Sequence, residues 1–119
     1  MAKHAMSVGD LLRRLGTPAM PVLFDVRRRA VYDEAKDIIP TAIWRDHGVA
    51  AAWAKEIPAD AEPVVYCVHG HQVGQSAVAA LRAIGVHARY LEGGIEAWRA
   101  AGGPLVGKTE VDAHRKNGA

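Results

Sequence analysis

The sequence predicts an α/β domain built on a mainly parallel sheet. Short β-type runs alternate along the chain with segments of helical periodicity, which is typical of parallel strands joined by helices. The 119 residues are enough for one compact domain, and half of them are hydrophobic. We assign residues 7–105 to this domain, residues 1–6 to an N-terminal tail and residues 106–119 to a polar C-terminal tail.

The N-terminal half begins with an amphipathic helix. Ser7 can cap it, and its apolar residues recur at spacings of three and four over positions 8–15. The elements predicted after it are a buried strand at 21–26, a polar short helix or loop at 27–36, a short strand at 42–44 and a helix at 50–56.

The C-terminal half contains the clearest strand and the clearest helix. Residues 63–66 form the strand, and residues 72–84 form the helix, with Gly85 as its C-terminal stop. A further strand is predicted at 88–91. After it, a Gly-Gly turn leads into a last helix that ends near residue 102.

Composition and charge argue against two classes of partner. The formal net charge is only +2, and Lys and Arg are spread along the chain. Because phosphate binding needs clustered cations, we expect no nucleic acid partner. No apolar run approaches the roughly 20 residues that span a bilayer, and no apolar segment of signal-peptide length occurs near the N-terminus. We therefore expect no membrane partner and a cytoplasmic location, where a single cysteine without a disulfide partner is normal.

Cys67 directly follows the strand at 63–66 and precedes the helix that begins at Gln72. Amides at the start of a helix lack intrahelical partners, and the helix dipole favours negative charge there. A thiolate, a persulfide anion or a bound oxyanion is stabilised in such a place, and the thiolate is the reactive form of cysteine. Gly70 lets the connecting loop curl without steric cost. The pattern favours an activated nucleophile over a buried, inert cysteine.

The same loop has a second interpretation as a metal site. Cys67, His69 and His71 are soft or borderline ligands at alternate positions. A structural site requires four ligands, however, and the remaining histidines are scattered along the chain. We therefore predict that the two histidines line the loop, and we predict no metal and no cofactor.

Four short motifs follow one another along the chain. They are Asp25-Val26-Arg27, the Ile-Ile-Pro-Thr-Ala segment at 38–42, the six-residue loop from Cys67 to Gln72, and Gly93-Gly94 with Trp98 and Gly102-Gly103-Pro104. In this order they resemble the motifs of the single-domain rhodaneses, the family of thiosulfate sulfurtransferase-like proteins. The resemblance covers nearly the whole chain, with the cysteine loop between the second and fourth motifs.

The resemblance implies both a fold and an activity. The fold would be a single rhodanese-like domain, with a central, mainly parallel five-stranded sheet flanked by helices on both faces. The activity would be sulfur transfer by double displacement. Cys67 would take a sulfane sulfur from thiosulfate or another small anionic persulfide donor, and would pass it to cyanide or a thiol. A sulfur-relay protein is a further candidate partner.

The resemblance also implies roles for the loop and for the first motif. The loop amides would hold the anionic substrate and the persulfide. The substrate-binding candidates are Val68, His69, Gly70, His71, Gln72 and Val73. Asp25 and Arg27 would support the structure as a charged or hydrogen-bonded pair. The run Arg27-Arg28-Arg29 is otherwise interpreted as a solvated face with a minor role in attracting anions, and Gly93-Gly94 as a turn.

The chain departs from the family at the end of the cysteine loop, where the family often has Arg and this sequence has Gln72. Glutamine donates hydrogen bonds but brings no charge, so thiosulfate should bind more weakly than in an Arg enzyme. His69 and His71, or Arg45 after the short strand, are candidates to compensate. Organic or protein persulfides are then the expected donors. In the second motif, Ile38 replaces the family's His and Thr41 replaces its Gly.

Two other functions stay open. A rhodanese-like domain can act as a non-enzymatic sulfur carrier or protein-binding module, an alternative that Cys67 disfavours and Gln72 mildly favours. Related folds also include phosphatases and arsenate reductases, whose cysteine loop ends in Arg. A phosphoryl group needs a roomier and more positive cradle than this loop offers.

Overall fold

The computed structural model describes residues 3–108, so positions 109–119 of the predicted C-terminal tail lie outside the described residues. The elements, in chain order, are β1 (Ala5–Met6), α1 (Val8–Arg14), β2 (Leu23–Asp25), α2 (Arg29–Glu34), β3 (Asp37–Ile38), β4 (Ile43–Trp44), α3 (Ala50–Trp53), β5 (Val64–Tyr66), α4 (Gln72–Ala83), β6 (Arg89–Leu91), α5 (Gly94–Ala100) and β7 (Val106–Gly107). Short 3₁₀ turns flank α3 on both sides.

Five strands form the central sheet in the order β1-β6-β5-β2-β4, and every neighbouring pair is parallel. The five-stranded parallel sheet expected from the sequence is therefore confirmed. β5 occupies the middle position, between β6 and β2. β3 and β7 form a separate antiparallel pair.

Helices cover both faces of this sheet, as expected. Side chains alternate between the faces along each strand. Phe24 and Val65 pack with α3 and α4 on one face. Leu23 and Val64, one position earlier in each strand, pack with α1 and α5 on the other. Because both faces are buried, these strands have continuous apolar runs in the sequence.

Two of the short strands lie in segments that the sequence assigned to tails. Met6 of β1 is only 1% exposed and forms the edge of the sheet beside β6. β7 pairs with β3. A strand of two residues has no periodicity of its own, and only its pairing with distant residues defines it.

Helix boundaries follow local signals. The Ser7 side chain accepts a hydrogen bond from the amide of Asp10 at 3.1 Å, which caps α1 as predicted. α4 ends at Ala83, and Gly85 follows with a φ of +90°. None of the helices in the described part of the chain is long and apolar enough to cross a membrane.

Candidate active site

Cys67 lies at the carboxyl end of β5, the central strand of the sheet. It is a free cysteine with 6% of its surface exposed. It lines a cleft of about 240 Å³, together with Arg27, Arg28, Val31, Val68, His69, His71, Gln72 and Val73. Crevices at the carboxyl ends of parallel strands are the usual ligand sites of α/β sheets.

The first turn of α4 lies directly beside the sulfur. A Cβ atom at Gly74 would be 3.3 Å from the Sγ of Cys67, and Gly74 is buried. The absence of a side chain at this position therefore lets the N-terminal end of α4 approach the thiol closely. An anion on that sulfur lies where the helix dipole is favourable.

Two amides in the first turn of α5 form hydrogen bonds with the cysteine loop. The amide of Ile95 donates to the carbonyl of Cys67 at 2.9 Å, and the amide of Glu96 donates to the carbonyl of Val68 at 3.1 Å. These bonds need a close approach of the two backbones. A Cβ atom at Gly94 would overlap both of those carbonyl groups. The Gly-Gly segment, which the sequence suggested was a turn, therefore also packs against the loop.

Gly70 and Gln75 fix the middle of the loop. Gly70 has a φ of +73°, and a Cβ atom there would lie 2.7 Å from the amide nitrogen of Gly93. The Gln75 side chain donates to the carbonyl of Gly70 at 3.0 Å. Gly70 was predicted to bind substrate through the loop. It is buried and is not one of the residues that line the cleft.

Asp25 and Arg27 form a buried ion pair beside the cleft, which Arg27 helps to line. The Arg27 Nη2 is 2.6 Å from Asp25 Oδ2, its Nε lies 3.0 Å from both carboxylate oxygens, and the Arg27 amide donates to Oδ1 at 3.0 Å. Burial on its own would lower the pKa of Arg27, but the hydrogen bonds and charge of Asp25 raise it above its ordinary value. The guanidinium also donates to the carbonyl of Asp37 at 3.0 Å, so the pair ties β2 to β3.

Tyr66 extends this buried network to the second motif. Its hydroxyl accepts a hydrogen bond from the amide of Ile39 at 3.2 Å. Burial, reinforced by the negative charge of Asp25, holds the pKa of Tyr66 well above its usual value. The residue before the cysteine is therefore a fixed, neutral phenol that joins β5 to the segment after β3.

Comparison with known proteins identifies the family. Residues 7–101 match the Rhodanese-like domain family. The chain is a member of that family. No curated protein matches it significantly.

Solved structures of the same fold come from several organisms. A protein from Anabaena sp. is 29% identical, with 94% of this chain and 89% of that chain covered and a TM-score of 0.76. A rhodanese-related protein from Thermoplasma volcanium is 24% identical, with coverage of 87% and 97% and a TM-score of 0.72. A Rhodopseudomonas palustris protein described as a possible tyrosine phosphatase is 24% identical, with coverage of 87% and 84% and a TM-score of 0.73.

Arg45, predicted to compensate for the missing charge, does not line the cleft of this rhodanese-like domain. Its backbone does lie at the carboxyl end of the strands, because its amide donates to the carbonyl of Asp25, the last residue of β2, at 3.0 Å. Its side chain instead forms a forked pair with Glu56, with Nε 3.0 Å from Oε1, and donates to the carbonyl of Trp44. The hydrogen bond from Arg45 to Glu56 and the positive charge of Arg45 lower the pKa of Glu56. Arg45 as a substrate-binding residue stays a prediction, and the observed pairing of its side chain with Glu56 does not support it.

The three consecutive arginines have three different environments. Arg27 is buried against Asp25, and Arg29 lies 3.1 Å from Asp33 with its guanidinium 5.1 Å from the centroid of the Trp44 ring. Arg28 is exposed and lines the cleft beside Val31. From the sequence, the run was interpreted as a solvated face with a minor role in attracting anions. That interpretation missed Arg28 and Val31, which no periodic pattern marks.

Five of the six predicted substrate-binding loop residues do line the cleft of the rhodanese-like domain: Val68, His69, His71, Gln72 and Val73. The rings of His69 and His71 are 6.2 Å apart between centroids. Within residues 3–108, no group of three or more His, Cys, Asp or Glu side chains is arranged to hold a metal ion.

The segment after β3 contains an unusual backbone conformation. Thr41 has a φ of +73°, in the left-handed region that a β-branched residue rarely adopts. It stands where the resembling rhodanese motif has glycine. The backbone at this position therefore adopts a conformation that glycine would adopt more easily than threonine.

Proposed function

We propose that this rhodanese-like domain is a sulfurtransferase that carries a sulfane sulfur on Cys67. The observation that supports this most directly is the position of the free thiol. It follows the central strand, lines the cleft and lies against the first turn of α4. A nucleophile placed in this way is open to small molecules and is favoured as an anion.

The first half-reaction loads the cysteine. The Cys67 thiolate attacks the outer sulfur of thiosulfate, a new S–S bond forms, and the old S–S bond breaks with its electron pair leaving on sulfite. With an organic persulfide as donor, the leaving group is the corresponding thiolate. In both cases the product is a Cys67 persulfide anion, and no external oxidant or reductant is consumed.

The second half-reaction unloads it. Cyanide or a thiolate attacks the outer sulfur of the persulfide, and the Cys67 thiolate leaves with the electron pair of the S–S bond. The products are thiocyanate or a new persulfide. Splitting the transfer into two displacements on one cysteine requires no metal or organic cofactor in this scheme.

The surroundings of Cys67 suit both anionic states. The loop amides at Val68–Val73 and the first turn of α4 provide backbone donors for the donor anion and for the persulfide. The loop is held in shape by the bonds to α5 and Gln75, so these donors are pre-organised. A reducing, cytoplasmic setting is part of the proposal, because it keeps the thiol free between turnovers.

Intact mass spectrometry tests the proposal. After incubation with thiosulfate or with a low-molecular-weight persulfide, the protein should gain the mass of one sulfur atom. Cyanide should then remove it and yield thiocyanate. The Cys67→Ser variant should show neither change. A wild-type protein that gains no sulfur from either donor would contradict the proposal and favour a protein-binding module or phosphatase chemistry.

A phosphatase assay separates the remaining alternative. The similarity to a possible tyrosine phosphatase is a similarity of fold. Phosphoryl transfer needs strong positive charge around the group that is transferred, and the loop ends at neutral Gln72. We expect no hydrolysis of a small aryl phosphate above the level of Cys67→Ser. Cysteine-dependent hydrolysis would favour phosphatase chemistry instead.

A further inference from the structure

We infer that Arg28 supplies the positive charge that draws the anionic sulfur donor into the Cys67 cleft and holds it there. The inference rests on the proposed sulfurtransferase function. It names the residue that gives the cleft its preference for anions, and it places that residue on the wall formed by the segment after β2, not on the cysteine loop.

The cysteine loop itself has no fixed cation. Its residues from Cys67 to Val73 include no Lys or Arg, and its last loop position is Gln72. Backbone amides bind an anion by dipoles, while a guanidinium adds a full charge and a planar set of donors. The fixed charges among the cleft residues are therefore those of Arg27 and Arg28.

The charge of Arg27 is already neutralised by Asp25. The Arg27 guanidinium bonds to both oxygens of Asp25 and to the carbonyl of Asp37, and only 4% of the residue is exposed. A buried arginine neutralised by its own carboxylate contributes little net charge to the cleft beside it. Removing it from that pair to bind a ligand would leave Asp25 buried and unpaired.

The charge of Arg28 is not neutralised by a carboxylate among residues 3–108. The residue is exposed, and it makes no side-chain cap at the start of α2. Its neighbour Arg29, by contrast, pairs with Asp33. Arg28 is therefore the cleft-lining arginine whose full charge is available to an incoming anion.

The other walls increase the effect of that charge. Val31, Val68 and Val73 line the same cleft and are apolar. A charge beside apolar walls is screened less than one surrounded by water, so its attraction for an anion is stronger. Gln72 lines the cleft too. It is therefore a position from which a replacement charge would act on the same space.

Two alkylating reagents of similar size measure this property without any sulfur transfer. Iodoacetate is an anion and iodoacetamide is neutral, and both react with the Cys67 thiolate. The ratio of their rate constants reports how strongly the cleft favours an anion, whatever the thiolate fraction. We expect Arg28→Gln to lower this ratio about fivefold. The matched control Arg29→Gln, one residue away, should leave it unchanged.

A relocation variant makes the test specific. Adding Gln72→Arg to Arg28→Gln should restore the ratio, because the lost charge returns to the same cleft. With thiosulfate as donor, the KM should rise about tenfold in Arg28→Gln and fall again in the double variant, with little change in kcat.

The outcomes separate the two proposals. If Arg28→Gln leaves the reagent ratio at the wild-type value, or lowers it no more than Arg29→Gln, the role of Arg28 is wrong even when Cys67 carries sulfur. If the ratio falls as expected but no donor loads Cys67, the charge assignment stands as a property of the cleft, and the sulfurtransferase function fails.

Discussion

Gly74 lies against the sulfur of Cys67, so that a Cβ atom at position 74 would be 3.3 Å from Sγ. That distance is tight for a carbon and a sulfur, and one of them would have to move. The close approach of α4 to the thiol therefore depends on the absence of a side chain in the first turn of this helix. A persulfide needs more room than a thiol, because its outer sulfur must also find a place.

Replacing Gly74 with alanine should slow the chemistry of Cys67 without unfolding the domain. Alanine favours a helix over glycine by about 1 kcal/mol, which offsets part of the crowding. We expect iodoacetamide alkylation and sulfur loading of Cys67 to slow severalfold. Urea unfolding should stay near the wild-type midpoint. Gly9→Ala in α1, which packs on the opposite face of the sheet from α4, is the control, and equal alkylation rates in the two variants would contradict the crowding.

Gly94→Ala should damage the loop much more than Gly85→Ala. Both glycines have positive φ, of +64° and +90°. A Cβ atom at 94 would overlap the carbonyls of Cys67 and Val68, while a Cβ atom at 85 meets nothing within 4 Å. Gly85→Ala should therefore cost about 1 kcal/mol of unfolding free energy, for the backbone alone.

Gly94→Ala adds a steric overlap to the same backbone strain. We expect it to lower the unfolding free energy by more than about 2 kcal/mol and to abolish sulfur loading. Chemical denaturation of the two variants side by side provides the measurement. Similar losses of stability would mean that the approach of α5 to the cysteine loop is not a close constraint.

Arg27→Gln should be strongly destabilising, since it leaves the Asp25 carboxylate buried without its partner. Breaking a buried ion pair by removing one member typically costs about 3–5 kcal/mol. The exposed pair of Arg29 and Asp33 is the matched comparison, and Arg29→Gln should change stability by less than about 0.5 kcal/mol. Urea unfolding followed by tryptophan fluorescence measures both. A small loss for Arg27→Gln would show that Asp25 is adequately solvated or bonded without it.

Asp37 should contribute a stability that depends on pH. Hydrogen bonds from Arg99, 2.8–2.9 Å long, lower the pKa of Asp37 below its ordinary value of 3.8. A carboxylate with a lowered folded-state pKa stabilises the fold above its unfolded-state pKa, and this contribution is lost as the pH falls through the lowered value. Because the pair is partly exposed, its size should be about 1 kcal/mol or less.

Asp37→Asn tests this by comparison at several pH values. The variant should be less stable than the wild type near neutral pH, and the difference should shrink progressively below about pH 3.8. Urea unfolding at each pH gives the two curves. A difference that stays constant, or grows on acidification, would show that the charge of Asp37 does not provide the stabilisation.

Local patterns were enough to predict most of the framework. The Ser7 cap, the helix that begins at Gln72 and the strand before Cys67 all follow from residue types at short spacing. The place of Cys67 at the carboxyl end of the sheet follows from the strand–loop–helix order. β1 and β7 were not predicted, because these two-residue strands, unlike β4, do not stand in a β-type apolar run and are defined only by their pairing with distant segments.

The contacts of long side chains could not be predicted from the sequence either. The sequence places Arg45 directly after the short strand, but nothing local shows that its guanidinium turns to Glu56, eleven positions later in the chain. It assigned the arginine run a minor role in attracting anions, but it did not single out Arg28 as the exposed arginine that lines the cleft. The carboxylate that pairs with a long cationic side chain is determined by tertiary packing, which short sequence patterns do not encode.

Thr41→Gly should stabilise the protein, which is unusual for a substitution with glycine. The φ of +73° at Thr41 costs a β-branched residue about 1–2 kcal/mol, and glycine adopts it freely. Glycine loses about 0.5–1 kcal/mol more backbone entropy on folding, so the net gain should be about 0.5–1 kcal/mol. Thr41→Ala removes the branched side chain but not the strain and should fall between them. A Thr41→Gly variant that unfolds at lower urea concentration than the wild type would mean that the threonine side chain makes a compensating interaction.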